Sequence, residues 1–227
     1  RLLRQSQAQE HNVAILQGNA KQGSTRGFYP RVINGSLRFN DDDSAYLSWT
    51  PASAGNRKTW TLSFWLKRCN LSSGRDMMIL SATDNIGATQ NRMLIMLDAT
   101  NNSFRFGQDN SGSFTVYKET SASLRDTSAW YHVVLSIDTT QATGSERHKV
   151  YINGERVTDF RTSNDGSQNG TFFMNSVNEH RIASDGGGYN YNGDFYLADV
   201  YFIDGQALSA SDFGETKNGV WVAKDYA

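Results

Sequence analysis

From Val32 onward, apolar and polar positions alternate along most of the chain with a period of two. Trp60, Leu62, Phe64 and Leu66 share one parity and Thr61, Ser63, Trp65 and Lys67 the other. That is the pattern of a half-buried strand. Leu37 and Phe39 flank Arg38, Phe104 and Phe106 alternate with Ser103 and Arg105, and Tyr131, Val133, Leu135 and Ile137 alternate with His132, Val134 and Ser136. His132 falls opposite the apolar stripe and is expected to be satisfied or solvent-facing. Residues 77–80 and 93–97 are unbroken apolar runs, which predict strands covered on both faces. Further strands are predicted over 114–118, 181–183 and 195–203.

The turn chemistry agrees with this reading. Asn40-Asp41-Asp42-Asp43 breaks the pattern before Tyr46 to Trp49 restarts it. Asn153-Gly154 favours the positive φ angles of a type I′ turn and predicts a hairpin. Ser209 and Asp212 have capping-box spacing, so one helical turn is expected there. With roughly a dozen short strands and almost no helix, the pattern predicts an all-β antiparallel sandwich or barrel.

The first residues behave differently. Residues 1–31 read as an arm and linker, and 32–227 as the sandwich with a C-terminal tail. Leu2, Ser6, Gln9, Val13 and Leu16 are spaced four-three-four-three, which suits a short coiled-coil seam. Two of those five positions are polar, so an extended arm remains the other reading. Residues 18–27 form a linker rich in Gly, Ser and Gln. Leu2, Val13, Leu16, Phe28 and Tyr29 are the arm's candidate assembly contacts.

Composition narrows the function. The 227 residues carry 22 basic and 23 acidic side chains, a net charge of −1. A nucleic-acid footprint needs a clustered basic surplus, so no nucleic-acid partner is expected. No apolar run approaches the ~20 residues that cross a bilayer, so membrane insertion is not expected. No signal peptide is visible at the start. Cys69 is the single cysteine, which rules out an internal disulfide framework. It reads as a structural thiol. The sequence contains no Gly-x-Ser-x-Gly elbow, His-Glu-x-x-His, P-loop or Gly-x-Gly-x-x-Gly.

Four segments, in order, resemble the laminin-G-like/concanavalin A-like jelly-roll family. They are Ser36 to Asn40 with the Asp-rich turn and Tyr46-Leu47; Trp60 to Lys67; Trp130 to Val134 with the hairpin Val150 to Gly154; and Tyr191 to Leu208. A narrower resemblance covers Phe202 to Thr216 and Gly219 to Tyr226. It is to laminin-G-like modules in virion proteins of marine and cyanobacterial tailed phages. The resemblance implies a non-enzymatic virion structural protein, a capsid decoration, head fibre or tail fibre component on the phage particle surface. Other virion proteins and a homo-oligomer, a trimer first, are the partners it implies.

Glucanases of this fold carry Glu-x-Asp-x-(x)-Glu on one strand. Glu10, Glu119, Glu146, Glu155, Glu179 and Glu215 all lack an Asp two positions on, so no catalytic residues are expected. Family members often hold calcium by loop oxygens. Asp41, Asp42 and Asp43 are the densest acidic cluster, but consecutive residues on an extended backbone cannot all face one ion. A solvated turn is the simpler reading, and no metal ligands are assigned. The loops at Asp84-Asn85 and Asp109-Asn110 are no stronger. The stretch 184–194 combines aromatic platforms with amides and carboxylates. Tyr189 and Tyr191 could stack on a sugar, with Asp185, Asn190 and Asn192 bonding its hydroxyls. A lectin module for host-surface or polysaccharide glycans is therefore the alternative function, and plain loop or subunit packing is the alternative for the loop.

Overall fold

A computed structural model of the chain describes residues 31–71, 74–84, 91–185 and 191–226. The arm candidates Leu2, Val13, Leu16, Phe28 and Tyr29 lie outside the described residues, as do Tyr189 and Asn190. The alternating segments form fifteen strands among the described residues: β1 (Leu37–Phe39), β2 (Leu47–Trp49), β3 (Thr59–Arg68), β4 (Met77–Thr83), β5 (Asn91–Leu97), β6 (Ser103–Asn110), β7 (Ser113–Ser123), β8 (Tyr131–Asp138), β9 (His148–Ile152), β10 (Glu155–Arg156), β11 (Phe160–Asn164), β12 (Glu179–Ile182), β13 (Phe195–Asp204), β14 (Gly214–Lys217) and β15 (Val220–Ala223). All pairings are antiparallel. The first sheet runs β1-β13-β3-β8-β9-β10 and the second β11-β7-β6-β5-β4-β12-β2, with β14-β15 as a separate hairpin.

The two sheets enclose one core. Trp60, Leu62, Phe64 and Leu66 of β3 meet Val133, Leu135 and Ile137 of β8 on the inner face of the first sheet. Met77, Ile79, Met93, Ile95, Phe104 and Phe106 face them from the second. This interior is apolar area removed from water and supplies the main driving force for the fold.

Three predicted features are present as read. The Asn153-Gly154 turn has φ of 50° and 87°. The tail makes one 3-10 turn at Ala210–Asp212, where the Ser209 N–H donates to Asp212 Oδ2 at 2.8 Å. The unbroken runs at β4 and β5 are buried on both faces. One expectation needs correction. β3 is not half-buried, because Thr61, Ser63 and Trp65 on its outer face are buried as well. Of the two readings for His132, satisfied or solvent-facing, the structure shows the first, and the ring is buried. The cause is the tail, which folds back over the outer face of the first sheet. Phe213, Ala210 and Val134 form a second apolar cluster there with Tyr151, Tyr201 and Tyr226. Buried Thr61 is satisfied by this segment: its hydroxyl donates to the Gln206 carbonyl at 2.7 Å and accepts from the Leu208 N–H at 2.8 Å.

Candidate functional site

Each sheet has an outer face with its own cover, and each cover leaves a recess. On the first sheet, Trp65 of β3 and His132 of β8 are register partners. Their rings stack at 4.9 Å, and the ring of Trp221 of β15 lies 5.9 Å from the imidazole and close to parallel with it. The Trp221 Nε1–H donates to His132 Nδ1 at 2.9 Å. An indole can only donate, so Nδ1 is the acceptor and the proton sits on Nε2, which donates to Ser63 Oγ at 2.9 Å. Burial pushes this imidazole down to about 4. Two glycines make room for Trp221. A Cβ at Gly154 would meet its ring at 2.4 Å and one at Gly214 at 2.5 Å.

Beside this stack is an apolar cleft of about 540 Å³. Val32, Ile33, Trp65, Trp130, Val220 and Trp221 supply its apolar lining. Its lip is pinned by Arg31. The guanidinium engages Asp199 at 2.5 and 3.0 Å, Tyr201 at 2.8 Å and Asp225 at 3.0 Å. Asp199 sits at a register shift in β13 with φ of 48°, a bulge that re-aims its side chain. Burial raises the Asp199 carboxyl above its ordinary value, against the pull of Arg31.

On the second sheet the register lines up Met78, Met96, Arg105 and Glu119 across β4, β5, β6 and β7. Tyr191 packs on Met78, Leu94 and Met96, and the Ser184 carbonyl accepts from Ser81 Oγ at 2.8 Å. Both described flanks of the Gly-rich loop therefore rest on this outer face. Next to Tyr191 is an open polar pit of about 590 Å³, lined by Gly74, Arg75, Asp76, Asp98, Ala99, Thr100 and Arg105. Arg105 lies between two carboxylates, donating to Asp98 Oδ2 at 2.8 Å and pairing with Asp76 Oδ2. Asp98 Oδ1 also accepts from the N–H groups of Thr100 at 2.9 Å and Asn101 at 2.6 Å, and Asp76 Oδ1 from Ala99 at 3.0 Å. Burial disfavours the charge on Arg105, but Asp76, Tyr117 and Asp98 outweigh it and hold the guanidinium above its ordinary value.

The sequence candidates divide accordingly. Tyr191 reaches the pit. Asn192 instead donates to Ser44 Oγ at 3.1 Å, and Asp185 is buried, 2% exposed. The pit's charged core of Asp76, Asp98 and Arg105 was not read from the sequence. These residues span three segments, and the β4–β5 and β5–β6 pairings with their flanking loops bring them together. Of the acidic turn, Asn40 Nδ2 bonds Asp43 Oδ2 at 2.8 Å, and Asp109 pairs with Arg92 at 3.5 Å. Among the described residues, no three His, Cys, Asp or Glu side chains converge on a point that could hold a metal ion. Chemically the pit offers fixed acceptors, a fixed cation and one aromatic ring. Both carboxylates are engaged by the same guanidinium and by backbone N–H groups, an arrangement suited to holding polar hydroxyl-bearing ligands.

The model of the concanavalin A-like lectin/glucanases superfamily matches residues 41–212. No curated protein sequence matches the chain. Among solved structures, a native heptameric SAP-like pentraxin from Limulus polyphemus is similar at 17% identity and a TM-score of 0.49, over 87% of this chain and 90% of that one. A Trypanosoma rangeli sialidase is similar at 15% identity and 0.49, over 80% of this chain but only 26% of its own. A human galectin-16 variant is similar at 8% identity and 0.43, over 74% of this chain and 100% of that one.

Proposed function

The chain belongs to the concanavalin A-like lectin/glucanase superfamily, and from that premise we propose that it is a non-enzymatic structural module of a tailed-phage virion. It serves as a capsid decoration, head fibre or tail fibre component and is mounted through its N-terminal arm. The observation that carries this reading is the tail. Residues 202–226 hold the narrower resemblance to phage virion modules. In the fold they are an integral cover, docked through Phe213, Trp221 and Tyr226 onto the outer face of the first sheet. The arm enters beside that cover, at Arg31.

The test is attachment. A chain lacking residues 1–27 should keep a cooperatively unfolding sandwich and lose incorporation into particles. Incorporation of the truncated chain at the level of the full one refutes the mounting.

A second reading is favoured by the polar pit. With Tyr191 as a platform and Arg105, Asp76 and Asp98 as fixed polar groups, the second sheet presents a site for host-surface glycans. This role is compatible with the first. A glycan array on the intact protein should show binding that Tyr191→Ala and Arg75→Ala both weaken. Binding untouched by both variants, or none at all, rejects the pit as a sugar site.

A further inference from the structure

The apolar cleft on the first sheet has no role in the reading above. It is open, and its rim leaves Val32 71%, Val220 49% and Trp130 37% exposed. Its volume of about 540 Å³ is that of a ligand site. An apolar recess rimmed by exposed apolar side chains marks an interaction surface.

We propose that this cleft seats the chain's own N-terminal arm, with the aromatic pair Phe28-Tyr29 as its occupant, so that the arm is latched on the sandwich until assembly draws it out. Three observations select this occupant. First, Arg31 is both a lining residue and the tether, held by Asp199, Tyr201 and Asp225. Tyr29 and Phe28 are two and three residues before it. At ~3.6 Å per residue they cannot lie more than about 11 Å of chain away. Second, a short tether gives a local concentration on the order of millimolar, so modest apolar contact suffices to hold the segment. Third, residues 1–30 carry four basic side chains and one acidic one, and the carboxylate of Asp225 stands 81% exposed beside the lip. Seating of the arm concerns the purified chain alone, and only its release on assembly rests on the virion reading.

The full-length chain tests it in two ways. With Cys69→Ser removing the native thiol, Tyr29→Cys and Val220→Cys should form a disulfide within one chain, since bridging needs Cα atoms within ~7 Å. Tyr29→Cys paired with Val177→Cys, which does not line the cleft, should not. Separately, Phe28→Ala/Tyr29→Ala should make backbone amides of residues 32–36 and 220–223 exchange about tenfold faster, the loss of contacts worth ~1.4 kcal/mol. Bridging within the chain together with faster exchange supports the latch. A bridge only between two chains assigns the cleft to a second copy's arm and overturns it. No bridge, or exchange unchanged by the double substitution, overturns it as well.

Discussion

The outer faces of the two sheets are closed by different means. The first is sealed by the tail mainly through aromatic contacts, Trp65, His132 and Trp221 in a stack and then Phe213 on Tyr226 at 5.1 Å, with the Arg31 ion pairs to Asp199 and Asp225 confined to its edge. The second carries Arg105 between Asp76 and Asp98, Arg92 against Asp109, and Arg181 against Glu179 at 2.9 Å. A neutral aromatic seal costs little desolvation and fixes the backbone. An ion-pair layer offsets the cost of burying charge only through good geometry and further hydrogen bonds, here from backbone N–H groups to Asp76 and Asp98. The two outer faces therefore differ in what holds them, aromatic packing on one and fixed charge on the other.

The largest effect should come from opening the neutral seal. Trp221→Ala removes a wedged ring and leaves His132 Nδ1 unpaired. It should cost about 3 kcal/mol in urea unfolding. Gly154→Ala should be comparably harmful, since φ is 87° there and its Cβ would strike Trp221. If both cost less than about 0.5 kcal/mol, the tail is an appendage and not a seal.

Next in size is the response to acid. His132 and His148 are both pushed down to about 4 by burial, with the Lys118 charge adding to the effect at His148. In the unfolded chain each titrates near the ordinary 6.5. Between those values the unfolded state binds more protons, so stability falls as pH drops from about 6.5 to about 4 and levels off below. The ceiling is ~3 kcal/mol per histidine. Unfolding series across that window check the slope, and His132→Phe should flatten part of it.

The charged face should be softer in stability and sharper in ligand binding. Arg105→Lys keeps the charge but cannot span both carboxylates, and it should cost ~1–2 kcal/mol of stability. Tyr191→Ala should cost about 1 kcal/mol by uncovering Met78, Leu94 and Met96. If glycan binding exists and survives both changes, the contrast between the faces has no functional meaning. The smallest effect belongs to the arm: removing residues 1–27 should shift sandwich stability by less than about 0.5 kcal/mol.

Much of this architecture is legible from local pattern. The period of two set the strands, Asn153-Gly154 set the hairpin, and Ser209 with Asp212 set the turn before the last strands. What stayed hidden was long-range. Trp65 reads only as a member of the outward parity of β3, and nothing local to that strand says that Trp221 covers it. His132 read as surface-compatible because its buried partners, Ser63 and Trp221, are 69 and 89 residues away. Arg105 read as the exposed member of an alternating strand. Its partners Asp76 and Asp98 are fixed by loop geometry and register, which period alone does not encode. Of the loop candidates within the described residues, Asp185 is an interior residue, Asn192 bonds Ser44, and Tyr191 reaches the pit.

The proposed place of this sandwich is in a virion. Quantitative mass spectrometry of tailed-phage particles purified from a producing host, with immunogold labelling of the same particles, tests it directly. The expected result is the chain at a fixed copy number per particle and label on the particle surface. A chain found only in the soluble fraction of the lysate, with unlabelled particles, would contradict it.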